Sequence, residues 1–208
     1  MDMLHLTPKA TATRLHILKT GEKLVQSRGF SGLGLQQILQ AAGVPKGSFY
    51  HYFASKEAFG VAMLQQYMVD YAARFEVLMR ASDSGRALLL RYLDAWITDP
   101  AHPDQPGWAE GCLVVKLSAE VADLSEDMRL VLADGITRIT DRMAALIAAG
   151  QADGSVPAKA DPQGLAVVLY QLLLGAAVMA KVTRTRAPLD GAATAARLLL
   201  ACGDQPNT

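Results

Sequence analysis

The stretch that decides the fold is Leu35–Lys56, LQQILQAAGVPKGSFYHYFASK. It predicts two short helices joined by a tight turn at Ala42-Gly43-Val44, where glycine can adopt a positive φ at little cost. The second helix is expected to begin at about Pro45, a residue that suits the first turn of a helix. The pattern therefore predicts a helix-turn-helix.

The second helix of this pair carries a dense set of polar and aromatic side chains. A helix meant for a core does not carry such a face, whereas a helix that enters the DNA major groove does. The residues expected to contact DNA are Lys46, Gly47, Ser48, Tyr50, His51, Tyr52 and Lys56. Lys46 is expected at guanine edges or phosphates, and Tyr52 and Lys56 at phosphates, which position the protein without reading sequence. An ordinary solvated face is the alternative for each polar residue, and Phe49 and Phe53 are expected in the core.

The charge of the chain is unevenly distributed. Its 208 residues hold 20 Lys or Arg and 20 Asp or Glu, and 51% of the residues are hydrophobic. Residues 1–60 hold seven Lys or Arg and three Asp or Glu, a net charge of +4, so residues 61–208 carry −4. A basic head on an acidic body is typical of a small DNA-binding domain attached to a body that stays off DNA.

Cysteine content and hydropathy bear on where the protein works. Two distant cysteines, Cys112 and Cys202, form no disulfide framework and favour a reducing cytosol. The N-terminus lacks the apolar core of a signal peptide. The most apolar run, Leu165–Ala180, is shorter than the roughly 20 residues of a membrane span and contains Gln171. It is expected to be a buried or subunit-interface helix in a cytoplasmic protein.

Hydrophobic periodicity predicts an all-α fold of about nine helices, with no sheet. Three helices lie within residues 8–53. The six expected after them cover residues 55–81, 86–98, 108–121, 125–149, 161–184 and 190–201. The chain is accordingly divided into a helix-turn-helix DNA-binding domain, residues 1–54, and a helical sensor and dimerisation domain, residues 55–208.

The last two helices each present a wide apolar face. The residues on these faces are Leu165, Val168, Leu169, Leu172, Gly175 and Ala176, then Ala192, Ala196, Leu199 and Leu200. Such surfaces serve either intramolecular packing or a two-fold dimer. A reader of palindromic double-stranded DNA needs two heads about 34–36 Å apart, or a multiple of that spacing. The helix-turn-helix therefore favours a homodimer through the last two helices.

The motifs resemble those of the TetR/AcrR family of bacterial transcriptional repressors. The matching residues are Ile17-Leu18, Gly21, Gly29-Phe30, the turn Ala42-Gly43-Val44, Tyr50-His51-Tyr52-Phe53 and Ser55-Lys56-Glu57. The resemblance implies a dimeric repressor that binds a palindromic operator and is not an enzyme. The chain departs from the family at Leu33, where threonine is usual, so one expected phosphate contact is lost.

Three later segments, residues 55–64, 111–129 and 173–190, resemble family members that sense electrophiles and hypochlorous acid through one cysteine. The resemblance extends over residues 12–201. It implies that Cys112 is the reactive cysteine, that Lys181 bonds its sulfur after oxidation, and that operator release derepresses detoxification genes. Ala122 stands where such a sensor has a second cysteine, so a disulfide through that position is not expected.

The residues around Cys112 leave several alternatives open. Cys112 lies near a predicted helix start with Lys116 four residues on, and both features stabilise a thiolate. A lone helical cysteine is more commonly an inert buried side chain, and Cys202 is expected to be a bystander. An enzyme pairing Cys112 with His102 lacks a third orienting group, and no metal-ligand spacing or cofactor motif is present.

A last alternative replaces covalent sensing with a small apolar ligand. The reversible ligand would occupy a pocket in the body of the repressor. Its expected lining residues are Trp96, Trp108, Tyr92 and Tyr170.

Overall fold

The computed structural model describes residues 7–81, 83–102 and 104–201. The helices within these ranges are α1 (Pro8–Arg28), α2 (Leu35–Ala42), α3 (Lys46–Tyr52), α4 (Lys56–Leu78), α5 (Gly85–Ile97), α6 (Leu113–Leu124), α7 (Glu126–Ala152), α8 (Pro162–Thr183) and α9 (Ala187–Leu199). One isolated antiparallel bridge joins Thr98 and Pro106. The all-α class and the nine predicted helices are confirmed for the described residues.

The described chain packs into two compact units. The first contains residues 7–71 and 116–133, and the second contains residues 72–115 and 134–201. The first unit thus includes the helix-turn-helix together with segments of α4, α6 and α7. The division at residues 54 and 55 remains our proposal for how DNA binding and sensing are shared along the chain.

Local signals explain the three helices of the head. Thr7 begins α1 by accepting a hydrogen bond from the Ala10 amide at 3.3 Å, and Gly29 ends it with φ of +77°. Gly43 ends α2 in the left-handed region, with φ of +63°. Both glycines occupy conformations that cost other residues free energy. The predicted turn between α2 and α3 is therefore present.

The head has a tightly packed aromatic core. Phe49, Phe53 and Phe59 are buried, with ring centroids 5.1–5.5 Å apart. A Cβ atom at Gly21 would lie 2.2 Å from Cζ of Phe59, so α1 and α4 approach each other at a glycine. The inward positions predicted for Phe49 and Phe53 are confirmed.

The predicted helix over residues 108–121 is wrong at its start, because α6 begins only at Leu113. The Trp108 amide donates to the Ala95 carbonyl at 3.0 Å, and the Ala109 amide donates to the Trp96 carbonyl at 3.3 Å. These bonds hold the segment before α6 against the end of α5. Cys112 consequently lies immediately before α6.

Other helix ends differ from the prediction by a few residues. The helix expected over residues 55–81 ends at Leu78, and α7 continues to Ala152. The last helix begins at Ala187, so Pro188 lies in its first turn instead of between helices. Proline is tolerated there because the first amides of a helix have no intrahelical acceptor.

Helix α8 has one buried and one exposed apolar face. Asp161 caps it by accepting from the Gly164 amide at 2.7 Å. The residues that pack inside the second unit are Ala166, Leu169, Tyr170, Leu173, Ala176 and Ala177. Among the described residues, α8 is the helix with the length and composition that a membrane span needs. Its buried face instead marks it as a packing helix.

Candidate nucleic-acid interface and sensor cysteine

Helix α3 presents most of its polar residues to solvent. Phe49 is fully buried and anchors the helix in the core of the first unit. Lys46, Gly47, Tyr50 and His51 are exposed on the remaining surface. The exposed fraction of Tyr50 is 47%, which is large for an aromatic side chain in a small packed domain. The exposed face of α3 is therefore accessible to a binding partner.

The beginning of α3 suits close approach to DNA. The Nζ atom of Lys46 lies 5.9 Å from the ring centroid of Tyr50, so the ammonium and the aromatic ring share one patch. A Cβ atom at Gly47 would meet no atom within 4 Å, and open space surrounds the backbone there. Ser48 is half-buried beside them. A cation, an aromatic ring and accessible backbone are groups that read base edges and bind phosphates.

Tyr52 and Lys56 are less exposed than the other predicted contacts. Tyr52 packs edge-on against His51, with ring centroids 4.9 Å apart. The ammonium of Lys56 lies 4.7 Å from the ring centroid of Phe30. Partial burial lowers the pKa of Lys56, against the opposing charge of Glu120. The Lys56 side chain therefore packs on Phe30 and lies apart from the exposed face of α3.

Glu120 is a residue of this region that the sequence did not single out. Its carboxylate accepts a hydrogen bond from the Phe30 amide at 3.1 Å and another from the Ser31 amide. Partial burial alone would raise the pKa of the Glu120 carboxyl. The bonds from Ser31 and Phe30, together with the charge of Lys116, outweigh that effect and hold the pKa below its usual range. No local sequence pattern reveals the role of Glu120, because Glu120 and the residues that donate to it are about 90 positions apart along the chain.

A histidine of α1 contacts the turn between α2 and α3. His16 on α1 places its Nε2 atom 3.1 Å from the carbonyl oxygen of Ala42, the last residue of α2. The end of a helix leaves carbonyls without intrahelical partners. This contact provides such a partner and ties the turn to α1.

Cys112 is buried among aromatic side chains of the second unit. Cys112 is 3% exposed, and Tyr92 and Tyr170 are buried as well. Burial raises the pKa of Tyr170, and the charges of Cys112 and Tyr92 act in the same direction. Tyr170 is thus close to both Cys112 and Tyr92. The residues proposed to line an apolar pocket pack here as core, with Tyr92 against Trp108 and Trp96 against Tyr170.

The two lysines predicted to assist the cysteine occupy different places. Lys181 is exposed in the last turn of α8. It lies eleven residues beyond Tyr170, a distance of about 16 Å along the helix axis. Lys116 is half-buried on α6, where its charge acts on Glu120. Cys202 lies outside the described residues.

A surface cleft lies elsewhere in the second unit, between α5 and α9. Its volume is about 830 Å³. The charged residues that line it are Arg91, Asp94, Arg186, Asp190 and Arg197. Two ion pairs, Arg186–Asp190 and Arg197–Asp94, neutralise four of these five charges. The aromatic residues around Cys112 are not part of this cleft.

Comparison with known proteins gives the same assignment for both parts of the chain. Residues 17–63 match the family described as "Bacterial regulatory proteins, tetR family". Residues 85–196 match the family described as "Tetracyclin repressor-like, C-terminal domain".

Two curated repressors and one solved structure illustrate the similarity. The HTH-type transcriptional repressor NemR of Escherichia coli (strain K12) is 43% identical over 181 residues, 86% of this chain and 89% of NemR. The HTH-type transcriptional repressor DhaR of Mycobacterium sp. (strain GP1) is 32% identical over 180 residues, 86% of this chain and 88% of DhaR. The crystal structure of the reduced form of E. coli NemR superposes with a TM-score of 0.84 at 42% identity, covering 93% of this chain and all of that one.

These relatives are regulators and not enzymes, which removes the interpretation of Cys112 and His102 as a nucleophile and its base. The geometry agrees, because the His102 side chain is 61% exposed, near Asp99, whereas Cys112 is buried. The resemblance noted in the sequence is confirmed. With its exposed α3 face and its similarity to NemR over most of its length, the chain belongs to the TetR family as a DNA-binding transcriptional repressor.

Proposed function

We propose that this repressor releases its operator when Cys112 is modified by electrophiles or reactive chlorine oxidants, and that the release derepresses detoxification genes in the cytoplasm. The observation that carries the proposal is the placement of Cys112. It lies directly before α6, buried in the second unit near Tyr170. A helix start stabilises a thiolate. The similarity to NemR, whose solved form is described as reduced, supports the same function.

The chemistry at the sulfur has two branches. A thiolate adds to a Michael acceptor, forming a sulfur–carbon bond while a proton goes to the adjacent carbon. With hypochlorous acid, the thiolate becomes a sulfenic acid and chloride leaves, so that sulfur is oxidised by two electrons and chlorine is reduced by two. A neutral lysine amine can then displace water from the sulfenic acid and form a sulfur–nitrogen bond.

The lysine step requires movement in this proposal. Lys181 is exposed and about three helical turns beyond Tyr170, so the proposal includes a shift of the end of α8 that brings the amine to Cys112. Lys116 remains the alternative amine. Ala122 keeps a disulfide at that position out of the mechanism.

Modification of a packed side chain has a mechanical consequence. A well-packed core has no room for additional atoms, and overpacking is relieved by displacement of neighbouring elements. Atoms added to Cys112 are therefore expected to displace the start of α6 and the helices packed beside it. In the proposed two-state switch, α4 then carries the heads out of register with the operator.

We also propose that the repressor is a homodimer formed through α8 and α9. Apolar side chains remain exposed along both helices: Val168, Val178, Met179, Val182, Leu198 and Leu199. A Cβ atom at Gly175 or Gly191 would meet nothing within 4 Å, so each glycine leaves room for a second chain. An exposed apolar row of this kind is expected to be covered by a partner.

Replacing Val178 with aspartate tests this surface. The new charge would be buried in the proposed interface without a partner, so the variant is expected to be monomeric at micromolar concentration in light scattering. Operator affinity is expected to fall with it, because one head alone reads half a site. Val77→Asp is the matched control, since Val77 is 57% exposed on α4. A dimeric Val178→Asp protein would contradict the assignment.

The central test joins covalent modification to release. The probe is a duplex of about 30 base pairs, long enough for two half-sites, selected from random-sequence DNA by the wild-type dimer. The complex is treated with a maleimide or with hypochlorous acid, and release is followed by fluorescence anisotropy while the protein is mapped by mass spectrometry. Release in proportion to modification of Cys112 is expected. Release with an unmodified Cys112 would instead support the reversible ligand.

A further inference from the structure

A carboxylate of α6 holds the loop that leads into the helix-turn-helix. The loop between α1 and α2 begins at Gly29, whose φ of +77° turns the chain. The next two amides, of Phe30 and Ser31, donate to the two carboxylate oxygens of Glu120. A Cβ atom at Gly29 would lie 2.9 Å from the Glu120 carboxylate, so the glycine also makes room for this contact. We call the arrangement the Glu120 clamp.

The clamp fixes a residue that is also held by two other helices. Phe30 is 3% exposed. Its ring lies under the Lys56 ammonium of α4. A Cβ atom at Gly60 would lie 2.6 Å from the Phe30 ring and 2.8 Å from the sulfur of Met128 on α7. The backbone of the loop is thus held by α6 while its side chain is held between α4 and α7.

The position of this loop determines the position of the reading helix. Leu33, at the end of the loop, is fully buried, and α2 follows directly and packs against α1. The turn at Gly43 then joins α2 directly to α3. A displacement of the loop is therefore carried through α2 to α3, since packed elements move as bodies.

We infer that Glu120 is a positioning residue for operator binding, acting through the amides of Phe30 and Ser31 to hold α2 and α3 in their DNA-reading pose. Charge-assisted bonds to two adjacent amides are stronger and more directional than neutral ones. The side chain need not touch DNA, because its effect passes through the loop. The inference rests on DNA binding alone and is independent of how Cys112 responds.

Removal of the Glu120 charge has opposite expected effects on DNA affinity through long-range electrostatics and through loss of the clamp. Loss of a carboxylate next to a DNA-binding surface raises the affinity of the protein for phosphate-rich DNA. Loss of the clamp lowers affinity, because the pose of α3 is no longer fixed. The matched control is Asp123→Asn, which removes one exposed carboxylate from the same helix.

The experiment measures binding of the selected duplex by Glu120→Ala, Glu120→Gln and Asp123→Asn. We expect Glu120→Ala to bind about tenfold or more weakly, since α3 is no longer held in its DNA-reading pose. Glu120→Gln is expected in between, because its one carbonyl oxygen can still accept an amide. Asp123→Asn is expected to bind equally well or slightly better. Hydrogen exchange at the amides of Phe30 and Ser31 is expected to accelerate only in the Glu120 variants.

The readouts separate positioning from a contribution to stability alone. A residue that only stabilises the fold would lower the melting temperature of Glu120→Gln and leave the operator affinity of the folded dimer unchanged, and that result would overturn the inference. Equal weakening by Asp123→Asn would overturn it too. If Glu120→Ala fails to fold, the difference in affinity between Glu120→Gln and Asp123→Asn is sufficient to support or overturn the positioning role.

Discussion

Replacement of Lys46 by alanine is expected to abolish specific operator binding while leaving the dimer intact. Lys46 is exposed at the first position of α3, beside the ring of Tyr50. A contact between such a side chain and a guanine edge is worth about 1–3 kcal/mol. In the proposed homodimer two heads act together on a palindrome, so the expected loss is about 2–6 kcal/mol, a factor from about 30 to more than about 10⁴ in affinity. Tyr50→Ala is expected to act in the same direction.

Anisotropy titrations with the selected duplex check this result, and light scattering checks the dimer. Lys159→Ala is the control, since it removes one exposed lysine from the second unit. The salt dependence identifies the type of contact. A phosphate contact lowers the slope of log affinity against log salt by about one per head, whereas a guanine contact relaxes the preference for one base pair. Wild-type affinity in Lys46→Ala at physiological salt would refute the assignment of α3 to the groove.

The Cys112→Ser variant is expected to stay on its operator under electrophiles or hypochlorous acid. A serine hydroxyl fits the site of the buried thiol and is not ionised at neutral pH, so it neither adds to a Michael acceptor nor forms a sulfenic acid. The variant should bind the untreated duplex as wild type does. Under oxidant, the wild type should lose affinity about tenfold or more, in the range of ordinary allosteric coupling.

The other cysteine provides the control. Cys202→Ser makes the same chemical change at the second thiol and is expected to leave the response unaltered. Both variants are titrated with the selected duplex before and after a mild dose of oxidant. Normal release by Cys112→Ser would contradict the proposed sensor, and loss of the response in Cys202→Ser would move the trigger to the C-terminus.

The head could be predicted from sequence because its signals are local. Gly43 and Pro45 mark the turn and the start of α3, and the spacing of Phe49 and Phe53 places one face in the core. Within the described residues these features appear where expected. Exposure of Lys46 and Tyr50 follows from the same spacing, since residues on the opposite side of a short anchored helix face solvent.

The remaining features depend on contacts between distant parts of the chain. The segment from Trp108 to Cys112 has a helix-like pattern, yet the amides of Trp108 and Ala109 bond to carbonyls of α5. Glu120 resembles an ordinary polar position of α6, and its bonds to Phe30 and Ser31 join residues about 90 positions apart. Lys56 stays a predicted phosphate contact, and the packing of its ammonium over the Phe30 ring is a feature that the sequence did not indicate. Such pairings have no signature in local periodicity.

The burial of Cys112 sets an upper bound on the rate of any reaction at its sulfur. A side chain that is 3% exposed reacts only during brief openings of the surrounding structure. At low reagent concentration the reaction rate is then proportional to concentration and to the open fraction. At high concentration it reaches a plateau equal to the opening rate. Small reagents need smaller openings than bulky ones, so the enclosure of Cys112 selects reagents by molecular size. Because the openings are rare, a brief exposure of the protein to a reagent modifies only a small fraction of the cysteine.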